Sequence, residues 1–293
     1  MRFNKALTIL GLYTILTLIL TYPLITVFTT HVPGSATWAF DEYTFLWNTW
    51  WFKHATLNLQ TDPLYSDYIF YPLGISLVLY TFHLFNASLS LPLQSFLNLA
   101  TISNLTLVFS FVLGGYGMYL LLEYLLAVSS EQEATAIPHA PTAIRQIAAF
   151  IGGMVYAFTA SRFVYAALGH YNFVSTEWLP FYVLYLIKTV REPALKNAIL
   201  AGLFATFALL CENTFGVFLG LFTLLYLLFA LGRKDWRLEV GGWGLEARSP
   251  PLLALGGRLA ALVVTTLLTY LPVLIPILRE MLGGGYALEG WGE

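Results

Sequence analysis

The chain has 293 residues, of which 58% are hydrophobic and only 10% are charged, and its mean hydropathy is +0.72. Soluble domains carry far more charge, so this composition excludes an ordinary soluble protein and favours a membrane protein. The net charge is −2 and the basic residues are scattered, so we predict no nucleic-acid partner. Cys211 is the single cysteine, which excludes an internal disulfide and a cysteine-based metal cluster.

Long apolar runs recur along the chain. Because a bilayer core about 30 Å thick requires roughly 20 helical residues, these runs predict an all-α, polytopic membrane helix bundle with about seven transmembrane helices. The spans are expected at Leu7–Phe28, Leu105–Ala127, Ile147–Ala160, Phe173–Ile187, Ala198–Leu210, Thr214–Leu231 and Leu259–Ile277. We interpret the first run as a retained span, because it is too long for a signal peptide and lacks a small-residue cleavage site.

The segment Ser76–Leu97 is apolar but broken by polar residues and proline, so it is either an eighth span or a helix that lies along the membrane surface. If it lies flat and the N-terminus is cytoplasmic, every Lys and Arg falls on the cytoplasmic side except Lys53, Arg162 and Arg279. If it spans, most basic residues fall outside, against the positive-inside tendency. The charge distribution therefore predicts seven spans and a cytoplasmic N-terminus, with the chain located in the cell membrane.

This topology places residues 28–104 in a long outer loop of a single membrane domain that covers residues 1–293. Asp41 and Glu42 precede a stretch in which Trp47, Trp50, Trp51 and His54 recur at helical spacing, which predicts a juxtamembrane helix with an acidic N-terminus. Residues 62–67 read as a turn, and the flat segment after it supplies a second juxtamembrane helix.

Unusual polar residues gather on the predicted outer side, from four different loops or span ends. They are Asp41, Glu42, His54, Asp62, Asp67, His83, Arg162, His170, Glu177, Glu212 and Asn213. Ionisable groups near hydrocarbon are costly unless they are paired or face water, so this gathering predicts a polar cavity at the outer surface.

The adjacent carboxylates Asp41 and Glu42 are the first candidates for chemistry. Such a pair can act as a general base or hold a divalent metal such as Mg²⁺ or Mn²⁺ at Asp41. The alternative is a helix N-cap with a solvated neighbour, which the spacing alone favours. No HxxxH or HExxH spacing is present in the sequence, so we predict no zinc site.

Other outer residues are candidates for binding substrate. Arg162 and His170 together can clasp a phosphate, although Arg162 can instead extend to the surface as a lipid-flanking cation. Glu177 lies within an apolar run and therefore needs a partner or a cavity. His54 can be structural, and Glu212 can be a loop tip.

The order of these features resembles the GT-C superfamily of membrane glycosyltransferases. The shared pattern is an N-terminal span, an outer loop that opens with the acidic pair Asp41-Glu42, and two juxtamembrane helices before the second span. The stretches Asp41–His54, Asp67–Gly74 and Arg162–Pro180 also resemble a group of bacterial membrane proteins placed near that superfamily. The resemblance covers most of the chain, but its motifs are short.

The resemblance implies transfer of a sugar, with inversion, from a polyprenyl-phosphate carrier to a glycan, lipid or protein acceptor on the outer face. Asp41, with Glu42 beside it, would be the catalytic base or a member of a metal site. Arg162 would hold the lipid phosphate, with Lys53 as the second choice. Members of the superfamily commonly carry more spans and a C-terminal outer domain, so we expect this chain to be a fragment. A transporter or lipid flippase and a non-catalytic scaffold subunit remain as alternatives.

Overall fold

The computed structural model describes residues 2–34, 41–132, 141–232 and 252–283. Within these ranges the protein is almost entirely helical, which confirms the predicted all-α class. The helices are α1 (Arg2–Leu20), α2 (Asp41–Lys53), α3 (Leu84–Ser90), α4 (Leu99–Gln132), α5 (Thr142–Ala157), α6 (Ala160–Ala167), α7 (Tyr171–Val174), α8 (Trp178–Arg191), α9 (Leu195–Cys211), α10 (Phe215–Gly232) and α11 (Leu252–Leu282). The described elements also include 3-10 helices at Leu24–Val27 and Leu93–Ser95, a π-helix at His54–Leu59, and two short strands, β1 (Tyr65–Ser66) and β2 (Ile75–Ser76).

Four stretches of helix in the described ranges are long and apolar enough to cross a membrane. They are Leu99–Val128, Thr142–Ala167, Phe215–Gly232 and Leu253–Leu282. Two shorter apolar helices, Asn4–Leu20 and Leu195–Cys211, coincide with other predicted spans. Helix α8, with 14 residues, overlaps the predicted span Phe173–Ile187. Every predicted span therefore overlaps a helix, while the full number of membrane crossings stays a prediction.

Helix α4 is the centre of the bundle and packs against α1, α5 and α8. Helices α1 and α4 approach closely at Gly115, because a Cβ at this position would lie 2.9 Å from the Tyr13 ring. The Tyr13 hydroxyl donates a hydrogen bond to the Phe150 carbonyl at 2.9 Å, which ties α1 to α5. Lys5, at the start of α1, forms an ion pair with Glu123 late in α4, so the two helices run in opposite directions.

The segment after α1 contains α2, which begins at Asp41 as the sequence predicts. The predicted aromatic face forms, since Trp47 stacks on Trp51 with ring centroids 5.6 Å apart and Trp50 stacks on His54 at 4.8 Å. Trp51 is buried, however, and its indole N–H donates to the Pro63 carbonyl at 3.0 Å. That part of the aromatic face therefore packs inside the protein.

The residues that follow α2 form a small antiparallel β-hairpin. The predicted turn at residues 62–67 is present only in its first part: the Asp62 carboxylate accepts a hydrogen bond from the Leu64 backbone N–H at 2.8 Å, and Tyr65–Ser66 already belong to β1. Strands β1 and β2 then pair in antiparallel register, which the sequence analysis did not predict. Each strand has only two residues, too few for an alternating pattern to be visible.

The doubtful segment Ser76–Leu97 contains only short elements. Helix α3 has seven residues and is followed by a 3-10 turn at Leu93–Ser95. A seven-residue helix is about 10 Å long, far less than a bilayer core. Neither element is long enough to cross a bilayer, and the total number of spans stays a prediction.

Candidate functional site

The N-terminus of α2 meets the turn between α6 and α7, and this contact creates an exposed pair of ionisable side chains. His170 Nε2 lies 2.9 Å from Asp41 Oδ2. The Asp41 side chain is 50% exposed and the His170 side chain is 32% exposed, so both can be reached by another molecule. The sequence predicted both residues as site members but paired His170 with Arg162.

Glycine permits the close approach of the two segments. Gly169 has φ +75°, in the left-handed region, and a Cβ there would lie 2.5 Å from the Glu42 backbone nitrogen. Only glycine combines that backbone conformation with the available space. Gly169 therefore sets the position of the following residue, His170, beside Asp41.

Glu42 lies behind the exposed pair and is only 4% exposed. Its carboxyl group occupies the space beside Gly34, where a Cβ would come 2.6 Å from Glu42 Oε1. Burial, together with the nearby Glu42 carboxylate, raises the pKa of Tyr171 to about 12. Among the described residues, no group forms a hydrogen bond with Glu42 Oε2. The two adjacent carboxylates thus differ in environment: Asp41 faces outward and Glu42 is enclosed.

Helix α7 connects this site to the α9–α10 turn. Asn172 Nδ2 donates to Glu212 Oε2 at 2.5 Å, and Glu212 Oε1 accepts from the Thr214 backbone N–H at 3.2 Å. The next residue, Asn213, accepts a hydrogen bond from the Tyr270 hydroxyl at 2.6 Å. The structure therefore brings Glu212 next to the His170 segment and uses both of its carboxylate oxygens in local hydrogen bonds.

The inner face of α2 packs on a buried histidine. The ring of His83 lies against Phe45 at 4.8 Å and its Nε2 is 3.3 Å from Thr49 Oγ1. Burial lowers the pKa of His83 to about 3, so the ring is neutral near neutral pH. Asn86, three residues later, donates to Ser175 Oγ at 2.8 Å and links α3 to the end of α7. His83 is thus buried and neutral, and it packs the start of α3 against α2.

Arg162 and Glu177 come together, but inside the protein. Arg162 is 4% exposed and Glu177 is fully buried. Arg162 Nη2 donates to Ser110 Oγ at 2.7 Å, and Ser110 Oγ donates to Glu177 Oε2 at 2.5 Å. Because Arg162 is buried, it is not placed to bind a phosphate, and it is not an exposed lipid-flanking cation. Glu177 does have a hydrogen-bond partner, Ser110, as its position in an apolar run requires.

Lys53 and His54 lie at the opposite end of α2 from Asp41. Twelve helical residues separate Lys53 from Asp41, which corresponds to about 18 Å. Lys53 Nζ donates to the Gln94 carbonyl at 2.8 Å, and His54 Nε2 is 3.2 Å from the Tyr68 hydroxyl. The structure therefore does not join these two predicted binding residues to the Asp41–His170 pair.

A metal at Asp41 remains a prediction. In the parts of the chain that the structure describes, no three His, Cys, Asp or Glu side chains are grouped so that they could hold a metal ion. Asp41 is paired with His170, and Glu42 is enclosed beside Gly34.

Sequence reasoning missed several residues that build the site, namely Gly34, Ser110, Gly169, Tyr171, Asn172 and Ser175. Ser110 lies in an apolar run and has no distinguishing sequence signal. Gly169 did offer one, since it stands directly before His170 in a break between helices, where a left-handed residue is common.

No protein-family model, no curated protein and no solved structure matches the chain.

Proposed function

We propose that the protein is a membrane glycosyltransferase that moves a sugar from a polyprenyl-phosphate donor to an acceptor on the non-cytoplasmic face. The observation that carries the proposal is the accessible Asp41–His170 pair, which two distant segments bring together at a helix N-terminus. An accessible carboxylate can accept a proton from a hydroxyl group, and a neighbouring imidazole can hold it in the orientation for that step. An acceptor hydroxyl is the group that such a transfer must activate.

The proposed membrane arrangement has seven spans and a cytoplasmic N-terminus. Lys5 and Glu123 pair near the N-terminal end of α1, which the positive-inside tendency assigns to the cytoplasm. Ser110 precedes Glu123 by 13 residues of α4, about 20 Å along the helix axis, and contacts the segment that carries His170. The Asp41–His170 pair then belongs at the outer end of the bundle, with α2 and α3 as the two juxtamembrane helices.

In the proposed reaction Asp41 is the base. The acceptor oxygen attacks the anomeric carbon and forms the new glycosidic bond while its proton passes to the Asp41 carboxylate. The bond from the anomeric carbon to the phosphate oxygen breaks, and the polyprenyl phosphate leaves with the electron pair as an anion. His170 orients the carboxylate through the 2.9 Å contact. Because Arg162 is enclosed, the proposal does not use it as a phosphate ligand.

Transport is the second candidate function, and one observation favours it. The Arg162–Ser110–Glu177 network places charged groups inside a helix bundle, and intramembrane ionisable residues often mark transport pathways. A transporter would move a solute across sealed vesicles, whereas a glycosyltransferase would form a product on one side.

The test is sugar transfer in proteoliposomes that contain the protein and a polyprenyl-phosphate sugar, with a panel of hydroxylated acceptors. Asp41→Asn should lower the rate by about 10²–10⁴-fold, the usual contribution of general acid–base catalysis. Asp62→Asn is the matched control, since Asp62 is an exposed acid of the same loop segment that caps a turn. Equal rates for Asp41→Asn and the wild type would remove Asp41 from catalysis, and solute uptake without product would favour transport.

A further inference from the structure

The side chains of Arg162, Ser110 and Glu177, called here the buried network, connect three separate parts of the chain. Arg162 lies on α6, Ser110 on α4, and Glu177 directly before α8. Besides its bond to Ser110, Arg162 Nη2 donates to the Val174 carbonyl at 2.8 Å, and Nη1 donates to the Ala157 carbonyl at 3.2 Å. The guanidinium therefore fixes the backbone at the end of α7.

The surroundings of the guanidinium show that the network is closed to substrate. Arg162 lies over the Phe111 ring at 4.7 Å and near the Tyr156 ring at 5.9 Å. A Cβ at Gly114 would come 2.9 Å from Arg162 Nη1, so the glycine leaves room for this side chain and little else. Glu177 is enclosed on its other side by Cys211, whose sulfur is 3.9 Å from Glu177 Oε1.

The segment from His170 to Glu177 is anchored at its far end by this network. The Val174 carbonyl is held by Arg162, and the Thr176 carbonyl accepts from the Tyr156 hydroxyl at 2.7 Å. Within the segment, the Val174 N–H donates to the His170 carbonyl at 3.2 Å. A shift at Val174 is therefore transmitted through one helical turn to His170.

We propose that Arg162 and Glu177 are positioning residues, which hold His170 against Asp41 without touching substrate. The proposal rests on the proposed function, because the position of His170 matters for the rate only if the Asp41–His170 pair reacts. The separate possibility is that the buried network only stabilises the fold. The two roles differ in what a substitution does. Loss of a positioning residue changes the distance between residues 41 and 170 and lowers the turnover number. Loss of a residue that only stabilises the fold changes neither in a variant that still folds.

The informative variant removes both charges at once. Replacing one partner of a buried charged pair leaves the other uncompensated, whereas apolar replacement of both is often tolerated. The double variant R162M/E177L should therefore fold while losing the bond to the Val174 carbonyl. Ser110→Ala is the milder second variant, because it removes the hydroxyl that bridges Arg162 to Glu177 and lies 2.9 Å from the Val174 carbonyl. Thr206→Val is the matched control, since Thr206 is an equally buried hydroxyl that bonds Thr269 at 2.7 Å in the α9–α11 interface.

The first measurement is chemical cross-linking of cysteines placed at positions 41 and 170, with a short bifunctional thiol reagent, in detergent-solubilised protein. Cys211 is buried, so the reagent should spare it, and the two single-cysteine proteins report any background. We expect cross-linking to fall several-fold in the double variant and in Ser110→Ala, and to stay unchanged in Thr206→Val. Unchanged cross-linking in the folded double variant would overturn the proposal. If the double variant does not fold, unchanged cross-linking in folded Ser110→Ala would overturn it.

The second measurement is sugar transfer by the same variants with the native residues at 41 and 170. A displacement of about 1 Å in a catalytic group can cost on the order of 100-fold, so kcat should fall by that order while KM changes little. A change confined to KM would instead indicate substrate contact and contradict a positioning role. If the wild type transfers no sugar, the proposed function fails, and the cross-linking result still decides whether the network places His170.

Discussion

Replacing Gly169 with alanine tests the contact between the two segments that form the site. The residue has φ +75°, and a left-handed conformation costs an alanine about 1–2 kcal/mol. The new Cβ would also lie 2.5 Å from the Glu42 nitrogen and 2.9 Å from its Cα, and backbone cannot rotate away as a side chain can. Overpacking of this kind adds about 1–3 kcal/mol. Gly169→Ala should therefore lower the free energy of unfolding by about 2–5 kcal/mol, or separate His170 from Asp41 to relieve the clash.

The assay is denaturant unfolding in detergent micelles, combined with the sugar-transfer rate. Gly74→Ala is the matched control for backbone strain, because Gly74 has φ +69° in the β-hairpin and lies away from the Asp41–His170 contact. Both variants should lose stability, but only Gly169→Ala should lose transfer in the protein that remains folded. Normal stability and transfer for Gly169→Ala, with damage in Gly74→Ala, would refute the close approach of Gly169 to the Glu42 backbone.

Two further predictions concern acid stability and membrane orientation. Burial lowers the pKa of His83 to about 3, so the unfolded chain binds a proton near pH 6.5 that the folded protein accepts only near pH 3. The free energy of unfolding should therefore fall by about 1.4 kcal/mol for each pH unit below pH 6.5, down to about pH 3. Denaturant titrations at pH 7.5 and pH 5 measure this loss, and His83→Gln should make it smaller. An equal loss in the wild type and in His83→Gln would contradict the prediction. Single cysteines at Asp62 and His170 should react with a membrane-impermeant thiol reagent from outside intact cells, and a cysteine at Lys196 only after lysis. Labelling of position 170 from the cytoplasm alone would contradict the proposed site.

Hydropathy predicted the helices well because bilayer thickness and backbone hydrogen bonding leave few choices to an apolar chain. Each predicted span overlaps a helix, and α2 begins at Asp41 as expected. The aromatic contacts of Trp47 with Trp51 and of Trp50 with His54 were predictable as well, because residues three or four apart share a helix face.

The contacts of the site were less predictable, because they join residues far apart in sequence. Topology alone could place Asp41 and His170 on the same side, but not in contact. Arg162 was expected at the surface because the sequence around it does not show its partners. Ser110 lies in an apolar run of α4, and Glu177 is on a different element. A cation in a short polar break looks the same in sequence whether it faces lipid headgroups or a buried carboxyl.

The role of Asp41 and His170 as one functional unit is tested most directly by a double-mutant cycle on sugar transfer. The single variants Asp41→Asn and His170→Gln are compared with the double variant in the same proteoliposomes. Because residues that act together are not additive, the double variant should be no slower than the slower single variant. Losses that multiply, so that each substitution slows the reaction by the same factor with or without the other, would contradict the paired site.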